Sequence, residues 1–219
     1  HTYIADSPVP SDYFLNTTSE CKWNTIIPFH FSQTEVLAEE DRGDFTRAGI
    51  QCSNQGKITQ IQLPQLNLTG TIPYEIIGFF LPDLEALNFL DCNTLSNHTL
   101  GSEIGMLSNL SVFFLSFTNA AGSIPTEIGL LTELVTLAIH GNSITGSLPP
   151  ELGRLTRITN ARLWDNNLTG SIPSELSLWT SIESFDVSEN LLTGSIPSEL
   201  GRWTSITKAQ LFENTLTGT

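Results

Sequence analysis

Basic residues are scarce in this chain. From Ile58 to Gly153 there is no lysine or arginine, and the 219 residues together hold 9 of them against 23 aspartates and glutamates, a formal net charge of −14. Phosphate must be neutralised by basic groups, so nucleic acid is excluded as a partner. Basic proteins, divalent cations and neutral glycans stay open, beside the plain reading that acidity serves solubility. No run of about eighteen apolar residues exists, so no membrane span lies within these residues. Cysteine is limited to three positions, Cys21, Cys52 and Cys92. Phosphate loop, zinc-ligand spacing and nucleophile elbow are all missing, and His1, His30, His98 and His140 are scattered, so no catalytic constellation can be assembled. The first residue is histidine and no charged-then-apolar leader is present. The chain reads as processed, or as starting inside a longer protein.

What is present is a period. Leu168-Thr169-Gly170-Ser171-Ile172-Pro173-Ser174-Glu175-Leu176 returns as Leu192-Thr193-Gly194-Ser195-Ile196-Pro197-Ser198-Glu199-Leu200, and Pro125, Pro149, Pro173 and Pro197 are spaced 24 residues apart. A fixed period of this size predicts a solenoid. Each proline is preceded by the same frame: apolar, two variable, apolar, one variable, apolar, two variable, asparagine. Leu134, Leu137, Ile139 and Asn142 fill it once, and Ile182, Phe185, Val187 and Asn190 fill it again. The apolar-x-apolar pair alternates with period two, which sends both side chains to one face of a short strand. One coil cannot bury that face, whereas stacked coils form a continuous core. Each buried Leu or Ile then contributes roughly 1.5–3 kcal/mol of transfer free energy. Asn142, Asn166, Asn190 and Asn214 turn inward after the strand, where an amide can satisfy loop carbonyls and N–H groups removed from water.

This frame, with its Leu-x-Gly-x-Ile-Pro-x-Glu-Leu-Gly tail, resembles the plant-type extracellular leucine-rich repeat family, including receptor ectodomains and polygalacturonase inhibitor proteins. The resemblance covers about three quarters of the chain. It implies an α/β solenoid: a right-handed superhelix of 24-residue coils with a parallel concave β-sheet and 3₁₀ turns on the convex side. Residues 1–57 do not fit the repeat and resemble the family's N-terminal cap, with Cys21-Lys22-Trp23 and Gly49-Ile50-Gln51-Cys52 separated by an insertion from Asn24 to Ala48. By that resemblance Cys21 and Cys52 form a disulfide, which places the chain in an oxidising, extracellular setting; two thiols are the alternative. Residues 58–219 make about seven coils. The last stops at Leu216-Thr217-Gly218-Thr219, where Ile-Pro is due, so the sequence reads as continuing beyond Thr219. Cys92 stands in an asparagine position and reads as a buried core thiol rather than a redox or metal group. Sequons at Asn16, Asn67, Asn97, Asn109 and Asn167 imply a secreted glycoprotein with N-linked glycans. The long cap, the acidity and Trp179 and Trp203 in leucine positions bring the chain nearer to repeat proteins of algae such as diatoms.

Strand residues directed away from the core define three columns on the expected concave face. One runs through Phe114, Ala138, Arg162, Asp186 and Gln210, the next through Ser116, His140, Trp164, Ser188 and Phe212, and the third through Phe117, Gly141, Asp165, Glu189 and Glu213. Phe114, Phe117, Trp164 and Phe212 are aromatic where solubility alone asks for polar groups, and exposed aromatics anchor partners. His140 reads as a contact residue beside them. Asp165, Glu189 and Glu213 stack beside Arg162 and Lys208; a plain charged binding surface is the first reading, weak Ca²⁺ binding the second, and a glycosidase-like pair the third. No resident cofactor or metal is expected. The function expected is a non-catalytic protein- or glycan-binding module. The alternatives are a structural glycoprotein of a cell wall, adhesive or cell-surface filament, and a receptor-kinase ectodomain.

Overall fold

The computed structural model describes residues 35–36, 49–53, 55, 57–63, 72, 74, 77–78, 81–92, 95 and 98–218. Cys21, Asn16, Asn67 and Asn97 lie outside these residues, and Cys52 is described only as the last residue of a strand. Among the described residues no helix is long and apolar enough to cross a membrane.

Strands are numbered along the chain. The first sheet has nine of them: β1 (Glu35–Val36), β2 (Gly49–Cys52), β3 (Ile58–Gln62), β4 (Ala86–Asn88), β5 (Val112–Phe114), β7 (Thr136–Ala138), β9 (Asn160–Arg162), β11 (Ser184–Asp186) and β13 (Lys208–Gln210). The second has five: β6 (Ala121–Ser123), β8 (Ser143–Ser147), β10 (Asn167–Gly170), β12 (Leu191–Ser195) and β14 (Thr215–Thr217). From β3 onward the first sheet is parallel. The pairing of β2 with β3 is antiparallel, so the sheet is mixed at its N-terminal edge. Register is strict: Val112 faces Thr136, Thr136 faces Asn160, Asn160 faces Ser184, and Ser184 faces Lys208. Coils from β5 onward therefore advance by one frame each, and equivalent side chains stack.

Between strands of the two sheets each coil closes with a short 3₁₀ helix: Ser102–Met106, Thr126–Leu130, Pro150–Arg154, Ser174–Leu178 and Ser198–Arg202. Proline precedes four of them, at φ between −61° and −71°, the value its ring imposes. Each 3₁₀ helix turns one aliphatic residue inward: Ile104, Ile128, Leu152, Leu176 or Leu200. The core is one cluster running from Ile58 to Trp203, with Leu134, Leu137 and Ile139 wholly buried. Trp179 and Trp203 stack face to face at 6.3 Å, and their indole N–H groups donate to Leu152 O at 2.7 Å and Leu176 O at 2.8 Å. They replace leucine as core groups, and the indole hydrogen bond ties each coil to its predecessor. At the last coil a cleft of about 390 Å³ is lined by Phe185, Leu200, Trp203 and Leu211, among others.

The asparagines fasten coil to coil. Asn166 Nδ2 donates to Leu163 O in its own coil at 3.2 Å and to Ile139 O in the preceding coil at 3.1 Å, while its Oδ1 accepts from Ile144 N at 3.0 Å. Asn190 repeats the set with Val187 O, Leu163 O and Leu168 N, and Asn214 with Leu211 O, Val187 O and Leu192 N. In the second coil Cys92 takes this place, wholly buried, its Sγ 2.9 Å from Leu63 O. Replacing a buried amide leaves its former partners unsatisfied, at about 1–3 kcal/mol each way. Asn166→Ala is therefore expected to lower the denaturant midpoint clearly more than Asn214→Ala, whose amide is half-buried in the last coil; equal losses would contradict this role.

Candidate functional site

The parallel register places the sequence-predicted site residues on one face. Phe114 faces Ala138, Ala138 faces Arg162, Arg162 faces Asp186 and Asp186 faces Gln210. Two residues on, Ser116, His140, Trp164, Ser188 and Phe212 occupy equivalent positions one coil apart. Neighbouring strands lie about 4.8 Å apart, and the rings follow that spacing. His140 stacks on Trp164 with centroids 4.6 Å apart and planes 19° from parallel. Phe117 meets both edge-on, at 5.2 Å from His140 and 5.7 Å from Trp164. Phe117 is 37% exposed and Phe212 51% exposed, while Trp164 and Phe114 are half-buried.

Two expectations need correction. His140 is only 7% exposed, so little of its ring is open to a partner. Its imidazole is covered by Trp164 and Phe117, and its Nδ1 lies 3.0 Å from Ser116 Oγ. It packs against the exposed Phe117 and the half-buried Trp164. Burial drives its pKa down to about 4, assisted by Arg162 and opposed by Asp186, so the ring is neutral at ordinary pH. Nor do all outward positions reach solvent: Ser116, Ala138 and Ser188 are buried beneath larger neighbours.

The second correction concerns the third column. Its members do not sit on strands. Phe117, Asp165, Glu189 and Glu213 have φ of +55°, +53°, +55° and +52°, and Gly141 has φ +66°. They turn the chain out of the strand in the left-handed region, which side chains other than those of Gly, Asn and Asp rarely adopt. The glycine has a second reason to be there: a Cβ on Gly141 would lie 2.3 Å from two ring carbons of Phe117. Phe117 thus rests against the coil below through a gap that glycine leaves. Asp165, Glu189 and Glu213 are exposed, and among the described residues no group of three or more His, Cys, Asp or Glu side chains is placed to hold a metal ion.

Asp186 is anchored: its Oδ1 accepts from Ser188 Oγ at 2.6 Å and Ser188 N at 3.1 Å. Arg162 Nε donates to Asn160 Oδ1 at 3.1 Å. Asn160 belongs to an outward column that the sequence reading passed over, comprising Val112, Thr136, Asn160, Ser184 and Lys208. Period-two alternation carried two residues further back along each strand would have found it. Of the sequons, Asn167 is exposed on β10, and Asn109 is exposed with its Nδ2 donating to Pro82 O at 3.0 Å.

With this architecture established, similarity to known proteins can be placed on it. The Leucine Rich Repeat family matches residues 133–155 and 181–203. Over 86 residues the chain is 35% identical to Receptor like protein 26 of Arabidopsis thaliana, covering 39% of this chain and 10% of that protein. The Arabidopsis receptor kinase HAESA, solved in complex with the peptide hormone IDA and the co-receptor SERK1, superposes with a TM-score of 0.69 at 32% identity, over 74% of this chain and 27% of that one. Two segments of this chain thus match leucine-rich repeats, and its fold is similar to those of plant-type receptor ectodomains that carry them. The repeat architecture is also shared with the plant peptide hormone receptor RGFR1 in complex with RGF2 (TM-score 0.65, 27% identity, 80% of this chain and 34% of that one). A plant ice-binding protein matches with a TM-score of 0.64 at 26% identity, over 76% of this chain and 61% of that one. The leucine-rich repeat chain thus spans about a tenth of its curated relative's length and about a quarter of HAESA's.

The buried imidazole has a measurable consequence. His140 has a folded pKa below its ordinary 6.5, so the unfolded chain binds the proton first. The stability this leaves is full above about pH 6.5 and is lost as pH falls toward 4; His98, also lowered to about 4 by burial, acts in the same sense. His140→Gln is expected to flatten the fall in unfolding free energy between pH 6.5 and 4, measured by urea titration at each pH. An unchanged slope would show that His140 is accessible to protons in the folded state.

Proposed function

We propose that this leucine-rich repeat chain is a non-catalytic recognition module of the extracellular space or cell surface, and that it holds a peptide or protein segment along its concave face. The observation that carries this reading is the packed group Phe117, His140 and Trp164. Its rings are fixed against one another before any ligand arrives, so binding loses little side-chain freedom. Preformed, partly exposed aromatic clusters of this kind are where interface energy concentrates. Peptide hormones bound to the receptor structures HAESA and RGFR1 support the choice of a peptide. The expected disulfide of Cys21 with Cys52 and the sequons fit the same location.

Selection of random heptapeptides on the intact chain tests this. Binders are expected to lose about tenfold or more in affinity on Trp164→Ala and on Phe117→Ala, and to be indifferent to Ser195→Asp, an exposed change on the second sheet. Binders lost on Ser195→Asp but kept by both concave-face variants would place the ligand elsewhere. Thermal unfolding of each variant separates lost binding from lost fold.

A further inference from the structure

The outward face of the second sheet repeats one pair of hydroxyls. In β8, β10 and β12 the inward residues Ile144, Leu168 and Leu192 are wholly buried while the residues on either side are not, the alternation of a half-buried strand. Thr145, Thr169, Thr193 and Thr217 stand outward, one per coil, and all four are exposed. Two residues further on, Ser123, Ser147, Ser171 and Ser195 form a second exposed column. The backbone repeats as closely: Gly122, Gly146, Gly170 and Gly194 hold φ between 75° and 78°. Strand pairing sets Thr145 beside Ser123, Thr169 beside Ser147, Thr193 beside Thr215 and Ser195 beside Thr217. Hydroxyl therefore neighbours hydroxyl across the sheet at strand spacing.

Neither charge nor ring interrupts this array. The chain carries a net charge of −14, yet among the described residues no Asp, Glu, Lys, Arg or aromatic side chain stands on these five strands. Leu191 is the large apolar group among them. A charged ligand finds no counter-charge here, and a sugar finds no ring to stack on. The spacing suits water. Two O–H···O hydrogen bonds of about 2.8 Å meeting at a tetrahedral angle span about 4.5 Å, and neighbouring strands lie about 4.8 Å apart. One water thus bridges adjacent hydroxyls at nearly the angle that it has in ice. Thr145 Oγ1 donates to Gly122 O at 3.1 Å and Thr215 Oγ1 to Leu192 O at 2.9 Å, which fixes these hydroxyls and leaves their lone pairs for water.

We propose that the outward face of the second sheet binds ice. The ligand is a crystal surface rather than a molecule: a neutral, periodic lattice of water meets a neutral, periodic array of hydroxyls. A single bridging water is weakly held, but the array adds such contacts over successive coils. A crystal surface also supplies its waters already ordered, so their freedom is not lost again on binding. A second copy of this chain would gain less, because apart from Leu191 this face offers hydroxyls that water already serves. The site lies on a different sheet from the peptide seat proposed above, so each is removable without the other.

The test follows the coarsening of polycrystalline ice in sucrose solution with the intact chain added. The chain is made by bacterial periplasmic secretion, so that Asn167, exposed on β10, carries no glycan. It is expected to arrest the growth of the grains. Thr169→Lys with Thr193→Lys should need about tenfold more protein for the same effect. Ser171→Lys with Ser195→Lys, in the neighbouring column, should do likewise, and thermal unfolding of each variant checks its fold. Trp164→Ala is expected to leave the arrest unchanged while peptide binding is lost, which separates the two sites. A glycan added to Asn167 by a eukaryotic host stands in the array and should abolish the arrest. Grains that coarsen alike with and without the chain overturn the proposal, as does an arrest that survives both lysine pairs or the Asn167 glycan. Sedimentation with microcrystalline cellulose that the lysine pairs remove, with ice unaffected throughout, would assign the face to a polysaccharide instead. A dimer that they dissociate, again with ice unaffected, would assign it to a second copy.

Discussion

One side-chain amide in each of the last four coils holds much of this molecule together. A coil of this length cannot bury its own apolar strand face, so it is stable only against its neighbours. Stacking removes the turn after each strand from water, and that turn holds carbonyl and N–H groups that need partners. Asn142, Asn166, Asn190 and Asn214 supply them, each bonding in its own coil, to the preceding strand's carbonyl and to an N–H of the preceding coil's second-sheet segment. Because one amide serves two coils at once, it fixes the distance and the register between them. The hydrophobic core supplies the larger free energy, but apolar contacts are non-directional. The amides decide which residue stands over which.

The site follows from that register. Rings at equivalent frame positions are brought to strand spacing without any segment folding over to meet them, and the stack of His140 on Trp164 is a direct product. Its neighbours are less regular. Phe117 comes from the left-handed turn beyond the strand, and it fits only because the next coil has glycine at position 141. A backbone conformation unfavourable for phenylalanine is thus maintained where the exposed aromatic surface is made. The same turn carries Asp165, Glu189 and Glu213 in later coils, so one backbone device presents a ring in one coil and carboxylates in others.

Much of this was legible in the sequence, and the reasons are specific. Leu137 and Ile139 announce a strand through their spacing, and Asn142 announces the turn because it recurs with them. The concave columns could be written down from the frame, and the structure does bring Phe117, Trp164 and Phe212 to one face. Exposure was not legible. Whether His140 reaches solvent depends on the sizes of Phe117 and Trp164 in adjacent coils, a relation between distant residues that a single frame does not contain. The positive φ of the third column was hidden for a similar reason: Gly141 and Asp165 are residues that tolerate it, but Phe117, Glu189 and Glu213 are not. The antiparallel pairing of β2 with β3 falls outside the repeat, where periodicity has nothing to say.

The concave face is the proposed seat of the ligand. A photo-crosslinking residue, p-benzoylphenylalanine, placed at Phe212 and separately at Ser195 on the second sheet, tests that directly with any peptide selected on the intact chain. Both positions are exposed, so either accepts the probe without disturbing the core. Crosslinking from position 212 and none from position 195 is the predicted result. Crosslinking from position 195 with position 212 silent would contradict it.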